Sequence, residues 1–291
     1  MPLANAIITR FVAGDFCADE FCGLLLVVNW PASSSVQAKL SAFSPAALPK
    51  SAYLYPPTSL HCTVATLRAF TGGPLDAGDG GSRSSAAARW SAVLDAAAAM
   101  PQWPKGPITL RMLAPTFEGA AGILRYDEVS PGGAIEAMRA CLRDAILAAG
   151  GVAAEGSADR SAAKALPGSP PQEPAPHLPN IIHSTVLRWA AEPSDAEVQA
   201  TRAEFERVGA DWEPLDFTVD LSTVRAVFED TPFMHVPHRA LQVFWRVPGA
   251  PKCPCLVCTC GPDCQCAPGS PGCDSCCMFQ AEAKAKQAAG S

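Results

Sequence analysis

Histidine occurs five times in this 291-residue chain, and two of the five sit in near-copies of each other. "SLHCTVATLR" (59–68) contains His61 and Thr63, and "IIHSTVLRW" (181–189) contains His183 and Thr185. An imidazole, with a pKa near 6.5, can take or give a proton near neutral pH. A threonine hydroxyl can donate a hydrogen bond to an anionic oxygen. Two of each around one cleft would suffice to cleave a phosphodiester without a metal. One imidazole takes a proton from the nucleophile, and the other protonates the leaving oxygen on the far side of phosphorus. The two hydroxyls hold the non-bridging oxygens. A single His-x-Thr-Val recurs by chance, so the weight rests on the pair.

The elements that must position these groups are strands. Both stretches are rich in β-branched and apolar residues. Residues i and i+2 of a strand face the same way, so His61 goes with Thr63 and His183 with Thr185. Cys62 and Ser184 point to the opposite layer. Side by side, the two strands would surround one cleft. Ahead of them, "GLLLVVNW" (23–30) has the continuous apolar character of a strand buried on both faces. Residues 1–22 show no clear pattern. Ser34 or Ser35 can cap a short helix bearing Val36, Leu40 and Phe43. After a loop over 71–85, Trp90, Val93, Leu94 and Ala97 mark a helix by their spacing. "ITLRML" (108–113) and "AGILRYDEV" (121–129) are expected strands. A helix with Ile135, Met138, Leu142 and Ile146 stops at Gly150-Gly151. Residues 154–179, rich in Pro, Ala and Ser, are expected to be a disordered insertion. Ser194 and Glu197 fit a capping box before a helix with Val198, Phe205 and Val208. "LDFTVDLSTVRAVF" and "ALQVFWRV" close the domain as strands.

The order of elements before and after the middle of the chain looks like a worn duplication. Each half supplies one His-x-Thr, with His183 lying 122 residues after His61. On "HCTV" (61–64) and "HSTV" (183–186), the sequence resembles the 2H phosphoesterase superfamily, which includes the 2′–5′ RNA ligases and cyclic phosphodiesterases. "ITLRMLAPTFEGAAGIL" is similar to that family's strand–Phe–strand segment, here around Phe117. The resemblance spans roughly 21–247. It implies a two-lobed, duplicated α/β (α+β) fold with antiparallel-rich sheets around a central cleft. It also implies catalytic roles for His61, Thr63, His183 and Thr185, and a substrate with a 2′,3′-cyclic phosphate or 2′–5′ linkage. Which histidine is acid and which is base stays open.

Arg68 and Arg188 could reach a phosphate. Each lies at odd spacing from its histidine, so a regular strand would turn it away from the cleft. Arg188, Tyr55 and Phe117 are the candidate substrate-binding residues, the rings as stacking surfaces. Tyr53 and Trp189 could also stack, although packing is the commoner role for all these aromatics. His177 falls in the Pro-rich insertion, where solvation is expected. His235 and His238, in "FMHVPH", have chelating spacing but no acidic partner motif.

The net charge of −6 argues against a grip on long nucleic acid and leaves room for a nucleotide or a short RNA end. No apolar run reaches the roughly 18–20 residues of a membrane span. The amino-terminal stretch has no secretory pattern and only a weak transit-peptide character, so the cytoplasm is expected, with no membrane partner and a monomeric chain. Nine of the thirteen cysteines crowd between 253 and 277. This divides the chain into a catalytic domain (1–248) and a Cys-rich tail (249–291). Cys253, Cys255, Cys258, Cys260, Cys264, Cys266, Cys273, Cys276 and Cys277 bring thiolates close enough to share soft cations such as Zn(II), Cu(I) or Cd(II). "CTCGPDCQC" resembles metallothionein. A disulfide knot, a palmitoylated Cys276-Cys277 pair and a zinc finger are the competing readings. Without metal the tail should be disordered. Catalysis itself needs no cofactor. The expected function is therefore metal-independent hydrolysis of 2′,3′-cyclic phosphates with a soft-metal-binding tail. The alternative is a non-catalytic protein that binds nucleotides or RNA ends and stores or senses metal through the tail.

Overall fold

The computed structural model describes residues 3–16, 21–29, 35, 38–39, 47–56, 59–72, 83–150, 154–155, 176–229, 231 and 242–250. Within them the chain is mixed α/β, with antiparallel sheets and four α-helices. The near-unbroken apolar run forms β1 (Phe21–Asn29), and the first motif forms β3 (His61–Gly72), its antiparallel neighbour. The first sheet runs β12 (Gln242–Arg246), β11 (Val224–Glu229), β1, β3, β8 (His177–Leu178), β7 (Ala154–Glu155). The second runs β10 (Leu215–Val219), β4 (Ile108–Met112), β6 (Ala121–Glu128), β9 (His183–Trp189), β2 (Ala52–Leu54), with β5 (Thr116–Phe117) also paired to β6.

The two motif strands are thus not side by side. Each is flanked on both edges within its own sheet, and the two sheets bring them together. Nor is a sheet one half of the chain. The first sheet joins β1 and β3 to β11 and β12, and the second joins β2 to β9 and β10. Buried partners are found across the sequence because apolar faces, not chain proximity, decide what can be covered.

One core lies between the sheets and helices α2 (Arg83–Ala98) and α3 (Ala134–Ala148). It takes Leu24, Leu26 and Val28 from β1, Val64 and Leu67 from β3, Leu94 from α2, Ile135, Met138 and Leu142 from α3, and Val186 from β9. The spacing that predicts the two helices is the spacing of these buried residues. Helix α4 (Asp195–Ala210) starts at the expected capping box. Ser194 accepts from the Glu197 N–H, and Glu197 accepts from the Ser194 N–H. A smaller apolar cluster of Leu25, Val27 and Val227 lies on the other face of the first sheet.

Three expectations change. Residues 6–13, without clear pattern in the sequence, form helix α1 (Ala6–Ala13), capped by Asn5 and seated by Ile8 against Tyr55 and Ala190. The segment 154–179 is not irregular at its ends, where β7 and β8 pair in parallel and β8 joins β3. The loop expected over 71–85 is regular at both ends, since 71–72 finish β3 and 83–85 begin α2, and the residues between lie outside the described ones, as does most of the short helix expected after Ser34. His235, His238 and the whole Cys-rich tail, with the nine cysteines from Cys253 to Cys277, lie outside them altogether. Among the described residues, no helix is long and apolar enough to cross a membrane.

Candidate active site

His61 and Thr63 on β3 and His183 and Thr185 on β9 line one cavity of about 440 Å³. All four are half-buried, while Cys62 and Ser184 between them are buried, as strand alternation requires. The intervening residues join the two strands. Ser184 Oγ donates to the His61 carbonyl at 2.6 Å and accepts from the Tyr126 hydroxyl at 3.1 Å. The backbone amide of His183 lies within hydrogen-bonding reach of the Cys62 sulfur. Each intervening side chain therefore touches the backbone of the other motif's histidine. Burial pushes the Cys62 thiol up to about 12, so it serves as a small apolar filler and not a nucleophile.

Past the threonines the alternation breaks, at the same offset in both strands. On β3, Thr63 pairs with Val27 and Ala65 with Leu26, so Val64 is an extra residue. On β9, Thr185 pairs with Ile123 and Leu187 with Gly122, so Val186 is extra. Both are β-bulges, which shift the facing of everything downstream by one residue. Val64-Ala65 and Val186-Leu187 are each buried in succession as a result. The residues five beyond each histidine, Thr66 and Arg188, turn into the cleft. Regular alternation sends Arg188 away from the cleft, and the bulge reverses that. Arg68 lies beyond a further irregularity, at Leu67. It does not line the cavity and donates to the Cys22 carbonyl.

The carbonyls of the two extra valines find different donors. The Val64 oxygen accepts from Arg139 Nε at 3.1 Å, and the Val186 oxygen accepts from the Tyr55 amide at 2.8 Å. Arg139 is 1% exposed. Its guanidinium also donates to the carbonyls of Thr63 (3.3 Å) and Ile181 (3.1 Å) and pairs with Glu136. It thereby fixes the bulge of β3 to the segment leading into β9. A sequence signal for it existed. Arg139 falls on the face of α3 that carries Ile135, Met138 and Leu142, where an arginine needs internal acceptors.

The imidazoles are held in distinct settings. His61 Nδ1 lies 3.1 Å from the Ser59 carbonyl. A carbonyl only accepts, so Nδ1 carries the proton there and Nε2 is the basic nitrogen of the neutral ring. Burial lowers the His61 pKa. His183 is lowered to about 4, by burial first and then by the charges of His61, Arg188 and Arg139. Burial and the nearby cations therefore favour two neutral histidines at neutral pH. An entering phosphate would reverse this balance, because its charge favours an imidazolium.

Of the candidate binding residues, Tyr55 and Arg188 line the cavity. Burial raises the Tyr55 pKa against the opposing charge of the nearby Arg188, so it stays a phenol. Phe117 is not among the lining residues. It is buried edge-to-face on Trp189 (5.9 Å between centroids) and packs on Phe205 (5.7 Å), under the Arg202 guanidinium. A Cβ on Gly122 would lie 2.2 Å from the Phe205 ring, which shows how tightly this corner is filled. Several lining residues escape sequence reasoning, three of them with side chains that matter chemically. His177, expected in solvent, is half-buried on β8 opposite Thr66. Phe70 and Glu229 also line the cavity. Among the described residues, no group of three or more His, Cys, Asp or Glu side chains is placed to hold a metal ion. No family model matches the chain, and no curated protein matches it.

Proposed function

We propose that this cleft hydrolyses 2′,3′-cyclic phosphates of nucleotides or RNA ends by two-histidine acid–base catalysis, in the manner of the 2H phosphoesterases it resembles. The observation that supports the reading is the convergence of both His-Thr pairs, from two different sheets, on one cavity. The matching bulges after each motif support a duplicated, two-lobed origin of the same kind.

The chemistry balances without a metal. The bound phosphate stabilises one imidazolium. The neutral imidazole takes a proton from water as its oxygen bonds to phosphorus, and the imidazolium gives a proton to the departing ribose oxygen as that P–O bond breaks. The Thr63 and Thr185 hydroxyls and the Arg188 guanidinium are the groups available to the non-bridging oxygens. The preference for neutral histidines set by burial supplies the base. The acid then forms only in the presence of substrate charge.

The test is hydrolysis of 2′,3′-cyclic nucleotides in EDTA. Turnover by the full chain is expected, with loss in His61→Ala and in His183→Ala. Full activity in either variant would overturn the assignment. The tail, residues 249–291, is the proposed soft-metal segment of a cytoplasmic chain, its nine thiolates taking Zn(II), Cu(I) or Cd(II). Metal content of the purified chain measured against one lacking 249–291 tests this, and equal content would sink it.

A further inference from the structure

The cavity does not end at the catalytic pairs. It continues along the face of the first sheet, where three neighbouring strands contribute a row in direct register. Leu25 on β1 pairs with Thr66 on β3, and Thr66 pairs with His177 on β8. All three line the cavity, and the bulge at Val64 is what turns Thr66 onto this face. With strands about 4.8 Å apart, the row makes a floor roughly 10 Å wide. It is apolar at one side, hydroxylic in the middle and an imidazole at the other.

Position along the strand is best read on β1. Val27 is the partner of Thr63 and Leu25 of Thr66. At about 3.3 Å per residue the row lies roughly 7 Å beyond the Thr63 level, and Gly23 lies roughly 13 Å beyond it. Gly23 is where the floor stops. A Cβ built there would meet Glu229 Oε2 at 2.6 Å and the Phe70 Cα at 3.3 Å. The missing side chain lets the Glu229 carboxylate lie over Gly23 on β1, at the end of the cavity that Phe70 also lines. Glu229 is 4% exposed, so a polar group that meets it does so away from bulk water.

We infer that this row is a nucleobase subsite and that it selects guanine. The inference rests on the phosphodiesterase reading, which puts the scissile phosphate at the threonines. A purine reaching from that point along the floor lies over Leu25, Thr66 and His177, with Phe70 beside it and its outer edge at Glu229. A carboxylate has two acceptor oxygens and no donor. Guanine alone among the common bases presents two adjacent N–H donors, N1–H and the N2 amino group, on one edge. Adenine and cytosine each offer an amino group beside an acceptor nitrogen, which a carboxylate repels.

Calorimetry on the full chain with 3′-GMP, 3′-IMP, 3′-AMP and 3′-UMP reads the subsite without turnover. GMP should bind about tenfold or more tightly than AMP and UMP, with IMP, which lacks the amino group, in between. Glu229→Gln should erase the preference, and Gly23→Ala should do the same by displacing the carboxylate. Thermal unfolding confirms that both variants fold. Equal affinity for the four nucleotides, binding of none, or a preference that survives Glu229→Gln overturns the inference. Hydrolysis of glycerol 1,2-cyclic phosphate, which has no base, separates the two proposals. Its turnover alongside indifferent nucleotide binding removes only the guanine subsite. A GMP preference without turnover of any cyclic phosphate removes only the catalytic reading.

Discussion

β3 and β9 perform the same presentation with different supports. Both place His and Thr in the cleft, bury the residue between, insert an extra valine after the threonine, and turn the residue at His+5 back to the cleft. The carbonyl of the extra valine is satisfied by a buried arginine side chain on β3 and by a backbone amide on β9. His61 has a carbonyl on its ring, whereas His183 feels the nearby charges of Arg188 and Arg139. Strand pairing and the bulge, present in both, set where the four groups point. The neighbours, which differ, set how each strand can be damaged and how each imidazole titrates.

The comparison breaks most visibly at the histidines. His61→Ala and His183→Ala are each expected to lower kcat/KM for a 2′,3′-cyclic nucleotide by about a thousandfold, as for loss of an acid–base group. A large loss in only one would mean that the strands do not share the work.

Titration separates them next. Above about pH 6.5, His183 is neutral both folded and unfolded. On acidification the unfolded chain binds the proton first, so stability falls as pH drops from about 6.5 towards about 4. The loss attributable to His183 is about 3 kcal/mol. His61, also lowered by burial, acts in the same direction. NMR titration of the ring protons checks it, and a midpoint near 6.5 for His183 would refute the burial argument.

Stability sharpens the difference in supports. Arg139→Met strands the carbonyls of Val64, Thr63 and Ile181 and should cost about 2–3 kcal/mol in urea unfolding. Tyr55→Phe keeps the amide that holds Val186 and should leave that bulge paired, so the two variants should not look alike. Smallest is Ser184→Ala, which removes the bond to the His61 carbonyl. About 1 kcal/mol is expected, read from the urea midpoint.

Much of the frame follows from local pattern. The apolar run of β1, the helical spacings around Trp90 and Ile135, and the capping box at Ser194 all correspond to the structure. So does the orientation of Cys62 and Ser184 away from the cleft, which needs only period two. Arg188 is a candidate from sequence, but its facing is beyond such reasoning, because a bulge is decided by pairing with the partner strand. The sheet memberships of β3 and β9 are non-local for the same reason. His177 was hidden by composition: the surrounding Pro and Ser suggest a solvated loop, and two strand residues suffice to place it. Phe117 misled in the other direction. The resemblance makes it a stacking candidate beside the commoner packing role, and Phe205 and Trp189, distant in sequence, hold it in the core.

The repeated bulge also changes what should be counted as the motif. A tetrapeptide His-x-Thr-Val stops one step before the geometry it creates. The working unit is a sextet, from His to the position five beyond, with its fourth residue left out of phase. Pairing Val186 regularly with β6, with no residue removed, would swing Arg188 to the other side of the sheet, whereas deleting Val186 would leave Arg188 facing the cleft one place nearer His183. Comparisons between proteins that align the two motifs by their histidines alone should therefore keep the valine as an obligatory gap. They should also expect the substrate-facing residue at the sixth place, whatever its chemical type.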